Sequence, residues 1–202
     1  MITSYSDLKT SVASFLHRTD LTDLIPEFIA DAEARIYDEL RIRAMETAFS
    51  TAISSGTVSL PTGFLEWKFL YVNTDPVRQL ERRSEEWIYK NYPERSSNGI
   101  PIFFAREGSS LIFAPYPDDT YTIKGIYYKR LDALSDSNTT NWLIQNAPDV
   151  LRYGALCEAA VYMVNDERVP LWEQKFAAAK ERLRKSDKRE MFSGSTLTMR
   201  SQ

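Results

Sequence analysis

The chain has 202 residues, a formal net charge of −3 and one cysteine, a length that allows one large domain or two small ones and buries roughly 70% of the unfolded surface. The acidic balance argues against a protein that wraps nucleic-acid phosphate, and the apolar runs fall far short of the ~20 residues of a membrane span. Cys157 has no partner for an internal bridge and lies among Ala155, Leu156, Ala159 and Ala160, which predicts a small buried packing residue.

The first nine residues carry no basic region followed by an apolar core, so no secretory signal is expected there. Ser4 and Asp7 have capping-box spacing, and Leu8, Val12, Phe15 and Leu16 follow on one helical face, predicting a helix over 5–17. Leu24, Ile25, Phe28, Ile29, Ala32, Ile36 and Leu40 predict a second helix with Pro26 in its first turn. From about Met45 to Arg130 the period changes. Thr57-Val-Ser-Leu-Pro-Thr-Gly-Phe64 reads as a short strand and a turn, and Trp67, Phe69 and Tyr71 then alternate with Lys68, Leu70 and Val72. Residues 102–105 and 111–114 predict a hairpin around Gly108, Ser84 caps a short helix over 84–90, and 121–128 alternate as a further strand.

Past Trp142 the helical period returns. Asn146 reads as a cap and Pro148 as a first-turn residue, with Leu151, Ala155, Val161 and Tyr162 inward and an end near Asn165. Pro170 opens a last helix with Leu171, Trp172, Phe176, Ala179 and Leu183 on its apolar face, running to about Arg189. The expected fold is α+β: a four-helix bundle, two N-terminal and two C-terminal helices, with a β-rich insertion and an extended C-terminal tail. Its parts are expected at 1–44, 45–133, 134–190 and 191–202. The tail has apolar residues Phe192, Leu197 and Met199, and twelve extended residues reach ~40 Å.

The residues for familiar catalytic chemistry are sparse. His17 is the only histidine and sits at a predicted helix end, where the dipole favours an imidazole. A histidine metal cluster, a thiolate zinc site and a serine–histidine pair therefore cannot be completed within the chain. No Gly-rich phosphate cradle is visible among seven glycines. Asp31-Ala-Glu33 and Glu85-Glu86 fit solvated helix positions and Asp118-Asp119 a turn. The aromatic residues of the middle segment, from Trp67 to Tyr128, fit core and subunit-interface packing better than ligand stacking. Residues 180–190 carry a net +3, which leaves −6 for the rest; a solvated helix face is the first reading and a binding patch the second.

Taken together, Leu21-Thr-Asp-Leu-Ile-Pro-Glu-Phe-Ile-Ala-Asp-Ala-Glu-Ala-Arg-Ile36, Val58-Ser-Leu-Pro-Thr-Gly-Phe-Leu-Glu66, Leu111-Ile-Phe-Ala-Pro-Tyr-Pro117, Leu134-Ser-Asp-Ser-Asn-Thr-Thr-Asn-Trp-Leu143 and Ala147-Pro-Asp-Val-Leu-Arg-Tyr-Gly-Ala-Leu156 resemble the head-to-tail adaptor proteins of tailed phages, especially short-tailed ones. The likeness covers about residues 5–185. It implies a non-enzymatic virion protein, made in the bacterial host cytoplasm and placed at the head-tail junction. Such a protein forms a ring, usually of twelve subunits, that docks on the portal protein and serves as a platform for tail (nozzle or fibre) proteins. DNA passes through its channel without specific binding. The resemblance implies no cofactor, metal, catalytic residue or membrane contact. By position it also implies a contact to the portal or a neighbouring subunit at Lys185, Lys188, Arg189, Met191, Phe192, Leu197, Met199 and Arg200. The competing expectations are a carboxylate-based glycan hydrolase of the virion and a helical DNA-binding regulator.

Overall fold

The structure is a computed structural model and describes residues 1–18, 20–94, 99–163 and 167–193. The chain divides into two compact units, one formed by Met1–Ala44 with Leu131–Gln202 and the other by Met45–Arg130.

The first unit is helical. Helix α1, Tyr5–Leu16, begins at a complete capping box in which the Ser4 hydroxyl accepts from the Asp7 N–H at 3.2 Å and Asp7 accepts from the Ser4 N–H at 3.1 Å. It ends at His17, which adopts the left-handed conformation at φ 53°. Helix α2 is Ile25–Glu39 with Pro26 in its first turn, entered through a 3-10 turn at Thr22–Leu24. The β-rich segment then intervenes, and α4 (Trp142–Asn146), α5 (Pro148–Tyr162) and α6 (Val169–Phe192) complete the unit. Asn141, rather than Asn146, is the capping residue: its side-chain oxygen accepts from the Ile144 N–H at 3.0 Å to start α4. Asn146 closes that helix, its amide donating to the Trp142 carbonyl at 2.9 Å, and α5 starts at Pro148 with no side-chain cap.

The expected four-helix bundle is not what these helices form. Among the described residues there are six α-helices and two four-stranded sheets. In the helical unit α5 is a hub against which α1, α2, α4 and α6 all pack, most extensively α2 and α6. A bundle of four gives each helix two flanking neighbours around a shared axis. Here the central helix must be apolar on most sides instead: Val150, Leu151, Gly154, Ala155, Leu156, Cys157, Ala159 and Ala160 are all buried. The small residues among them let neighbours approach, and a Cβ on Gly154 would lie 2.9 Å from the Ala32 Cβ of α2. Val161 and Tyr162, expected inward, are 67% and 57% exposed where α5 ends, and Leu171 is 44% exposed. Asn165, the expected end of α5, lies outside the described residues.

The second unit layers two sheets and a helix. Its strands are β1 (Glu46–Ile53), β2 (Thr57–Ser59), β3 (Phe64–Val72), β4 (Arg78–Gln79), β5 (Glu81–Arg82), β6 (Phe103–Glu107), β7 (Ser110–Ala114) and β8 (Tyr121–Lys129). Helix α3, Glu85–Asn91, is capped by the Ser84 hydroxyl, which accepts from the Trp87 N–H at 3.2 Å. The sheet orders are β1-β8-β3-β4 and β2-β7-β6-β5. Ile53, Leu70, Val72 and Ile123 from the first sheet share one core with Phe104, Leu111 and Phe113 from the second. Ile88 of α3 covers the opposite face of the second sheet at Ala105, Ile112 and Ala114. The hairpin of β6 and β7 turns at Gly108, φ +58°.

Strict alternation fails in β3. Its ladder with β8 pairs Trp67 with Tyr127, then Phe69 with Ile126 and Leu70 with Gly125, so Lys68 is an extra residue. The insertion re-phases the strand. Trp67 therefore shares the core face with Leu70 and Val72, while Phe69 and Tyr71 stack on the outer face with ring centroids 6.1 Å apart.

Candidate interaction surface

The last helix is built from two unlike halves. Trp172, Phe176, Ala179, Lys180 and Leu183 are buried, whereas no residue from Arg184 to Phe192 is. The spacing of apolar residues explains this change, since after Leu183 the next strongly apolar side chains are Met191 and Phe192, 51% and 62% exposed. Over its last two turns α6 buries no side chain, and only Asp187 is partly covered.

The basic run 180–190 is only partly a surface. Lys180 is buried, its ammonium bonded to the Glu39 carboxylate and 4.1 Å from the Phe176 ring centroid. Arg182 pairs with Asp149, and Arg184 donates to the Glu39 carbonyl at 2.9 Å. Asp187 accepts from the Arg43 N–H at 2.9 Å. These contacts fix α6 to the rest of the helical unit. Lys185 has only the exposed Glu181 at 3.7 Å, while Lys188 and Arg189 are exposed and form no ion pair among the described residues. Of the eight expected contact residues the structure brings Lys185, Lys188, Arg189, Met191 and Phe192 together on this projecting end. Leu197, Met199 and Arg200 lie outside the described residues. Arg189 in the last turn also complements the helix dipole.

Two polar clusters elsewhere were not foreseen. In the first, Glu33 of α2 is only 4% exposed and accepts from the Leu134 N–H at 3.3 Å and the Asn141 amide at 3.1 Å. Burial pushes its carboxyl up from the ordinary carboxylate range, against these two hydrogen bonds that pull it down. The Asn141 amide also reaches the Asp132 carbonyl at 3.2 Å, Asn138 donates to the Ala133 carbonyl at 2.8 Å, and Tyr5 N–H donates to the Thr139 carbonyl at 2.8 Å. Residues 131–141 are thus tied to α1 and α2.

The second cluster surrounds Arg35, whose guanidinium bonds both oxygens of Glu173 at 2.9 Å, Glu39 at 3.2 Å and Glu158 at 3.4 Å. It also lies 4.9 Å from the Phe176 ring centroid. Arg35 holds the Glu173 carboxyl below its ordinary range, and Lys180, with Arg35 behind it, does the same to Glu39. Beside them Cys157 is 1% exposed, its thiol pushed up to about 12, chiefly by burial and next by Glu173. Only the four-residue spacing of Arg35 and Glu39 marks this network in the sequence. The other members come from α5 and α6 and meet only in the fold.

The carboxylates singled out for possible chemistry have local structural roles. Asp118 accepts from the Tyr121 hydroxyl at 2.6 Å, Asp119 accepts from the Thr120 N–H at 2.6 Å, and Glu85 and Glu86 occupy the first turn of α3. Among the described residues no group of three or more histidine, cysteine or acidic side chains is placed to hold a metal ion, and no helix is long and apolar enough to cross a membrane.

A family model described as SU10 adaptor protein matches residues 3–200. No curated protein matches the chain.

Proposed function

The chain belongs to the SU10 adaptor protein family, and on that premise we propose that it assembles as a ring, of twelve subunits, beneath the portal at the head-tail junction of a phage virion. The ring extends the DNA channel and offers a platform to tail nozzle or fibre proteins. Its role is structural, with no catalytic step. The observation that carries the docking part is the projecting end of α6, where Lys185, Lys188 and Arg189 stand beside exposed Met191 and Phe192. Cations next to solvent-facing apolar side chains suit an acidic, partly apolar groove on a partner. Leu197, Met199 and Arg200 extend the same contact to the portal or the neighbouring subunit.

The charge distribution suits a conduit. With residues 180–190 at +3 the remainder carries −6, and a body of that sign does not hold phosphate, so a duplex slides past it.

Deletion after Glu190 tests the docking role, because the described residues it removes, Met191, Phe192 and Ser193, are all exposed. The thermal unfolding midpoint should be unchanged while portal binding is lost; unchanged binding overturns this assignment. Cryo-electron microscopy of the parent particle tests the location, and density for the chain away from the portal vertex would sink the ring reading.

A further inference from the structure

We infer that the free edge of β1 is a strand-addition site, and that its occupant is the segment 194–202 of a neighbouring copy of this chain. The inference rests on the ring reading and gives that ring one subunit contact.

Strand β1 is an edge of the first sheet, paired with β8 alone. Its eight residues run in unbroken register from Glu46 opposite Tyr128 to Ile53 opposite Tyr121. No other backbone hydrogen bond reaches them among the described residues. Alternate residues therefore present N–H and C=O groups outward over about 27 Å. Edge strands of monomeric proteins are usually blunted by shortness, charge, proline or a bulge. The other edges here are: β4 and β5 have two residues each with one or two charges, and β2 has three. Strand β1, Glu46-Thr-Ala-Phe-Ser-Thr-Ala-Ile53, has one charge at its first position, no proline and no bulge. Such an edge is a template for an added strand.

The identity of the occupant follows from symmetry. Two β1 edges pairing with each other would make a two-fold contact that closes as a dimer and cannot propagate around a ring. A ring needs β1 to meet a different part of the next copy, and the other described edges are too short to match it. Residues 194–202 match it in length. Thr196-Leu-Thr-Met199 alternates polar and apolar side chains with two β-branched threonines, and the segment contains no proline. It follows directly on the exposed end of α6 and spans about 30 Å when extended.

The test uses full-length chains assembled on the portal as a mixture of two variants with distinguishable tags. One carries Ala48→Cys, Ser50→Cys or Ala52→Cys, all exposed positions of β1; the other carries Thr196→Cys, Leu197→Cys, Thr198→Cys or Met199→Cys. Cys157 stays as the buried background thiol. Rings are counted by electron microscopy before oxidation. The expected result is a mixed-tag disulfide dimer whose yield alternates with a two-residue period along tail positions 196–199, with the preferred tail position shifting in register from Ala48 to Ser50 to Ala52. Rings with no mixed-tag link, or with equal yield at every tail position, overturn the inference and leave the ring standing. In a third variant that carries both cysteines, a link that forms only within one chain, with none between tags in the mixture, overturns it too, because the occupant is then the chain's own tail. Absence of rings removes the ring reading itself and this contact with it.

Discussion

Glu33 holds the loop before α4 by two hydrogen bonds, and burial raises its carboxyl above the unfolded range. A raised folded pKa means that the native state binds the proton more tightly, so this contribution to stability is full below ~4.3 and is lost as pH rises through the folded value. Glu33→Ala leaves the Leu134 N–H and the Asn141 amide without their acceptor, which costs about 1–3 kcal/mol. Glu33→Gln keeps an acceptor and removes the charge, so its deficit should be smaller and should shrink from pH 4 to pH 7 in urea denaturation; a constant deficit would refute the burial argument. Glu39 and Glu173 have the opposite sign, since Lys180 and Arg35 depress them. Their stabilisation is present above ~4.3 and lost as pH falls through the depressed values. Glu39→Gln with Glu173→Gln should therefore flatten the acid limb of the stability profile that Glu33→Gln leaves steep. Cys157 belongs to the same neighbourhood. With its thiol pushed up to about 12 and buried, it should resist a thiol reagent at pH 8 in native protein and react only at the rate of unfolding.

Close approach between elements depends on two glycines. A Cβ on Gly125 of β8 would overlap the Phe69 carbonyl oxygen and lie 2.6 Å from the Leu70 Cδ2, beside the extra residue Lys68 of β3. Backbone has to move to admit it, so Gly125→Ala should cost about 1–3 kcal/mol or more. Gly154→Ala meets a side-chain methyl and the Phe176 ring instead, and gains about 1 kcal/mol of helix propensity, so its loss should be the smaller; thermal unfolding of the two variants orders them. The same features show what was legible beforehand. Helices α1, α2, α3 and α5 and the hairpin at Gly108 could be read because caps, first-turn prolines and apolar periods are local signals. The apolar stripes do not name a neighbour, which is why α5 as a hub was mistaken for one quarter of a bundle. Residue Lys68 carries no mark of an insertion, so alternation alone put Trp67 on the wrong side of β3 relative to Leu70. For the contact surface, Met191 and Phe192 were legible as the start of a tail beyond Glu190, but that tail was expected to be extended from 191 and α6 instead runs to Phe192; the internal use of Lys180, Arg182 and Arg184 depends on Glu39 and Asp149 arriving from other helices.

The β-rich unit is inserted in the helical one, and its ends meet at their root. Glu46 at the start of β1 pairs with Tyr128 near the end of β8, a ladder partnership that keeps their Cα atoms about 5 Å apart. An insertion with adjoining ends can be excised without stretching either product. The unit Met45–Arg130 has its own core of Ile53, Leu70, Val72, Ile123, Phe104, Leu111 and Phe113, and α3 covers the opposite face of the second sheet through Ile88. Residues 45–130 expressed alone should therefore fold, with dispersed amide NMR signals and one cooperative urea transition. Joining Ala44 to Leu131 through a few Gly and Ser residues should leave the helical unit folded, because the contacts of Glu33, Arg35 and Lys180 lie wholly within it. A molten 45–130 fragment beside a folded helical unit would show that the sheets need the helices to fold. If both fold, portal docking can be assigned to one of them directly. The helical unit, which carries the exposed end of α6, should retain portal binding without the sheets, while 45–130 alone should show none; binding by the sheet unit would move the docking surface away from Lys188, Arg189, Met191 and Phe192.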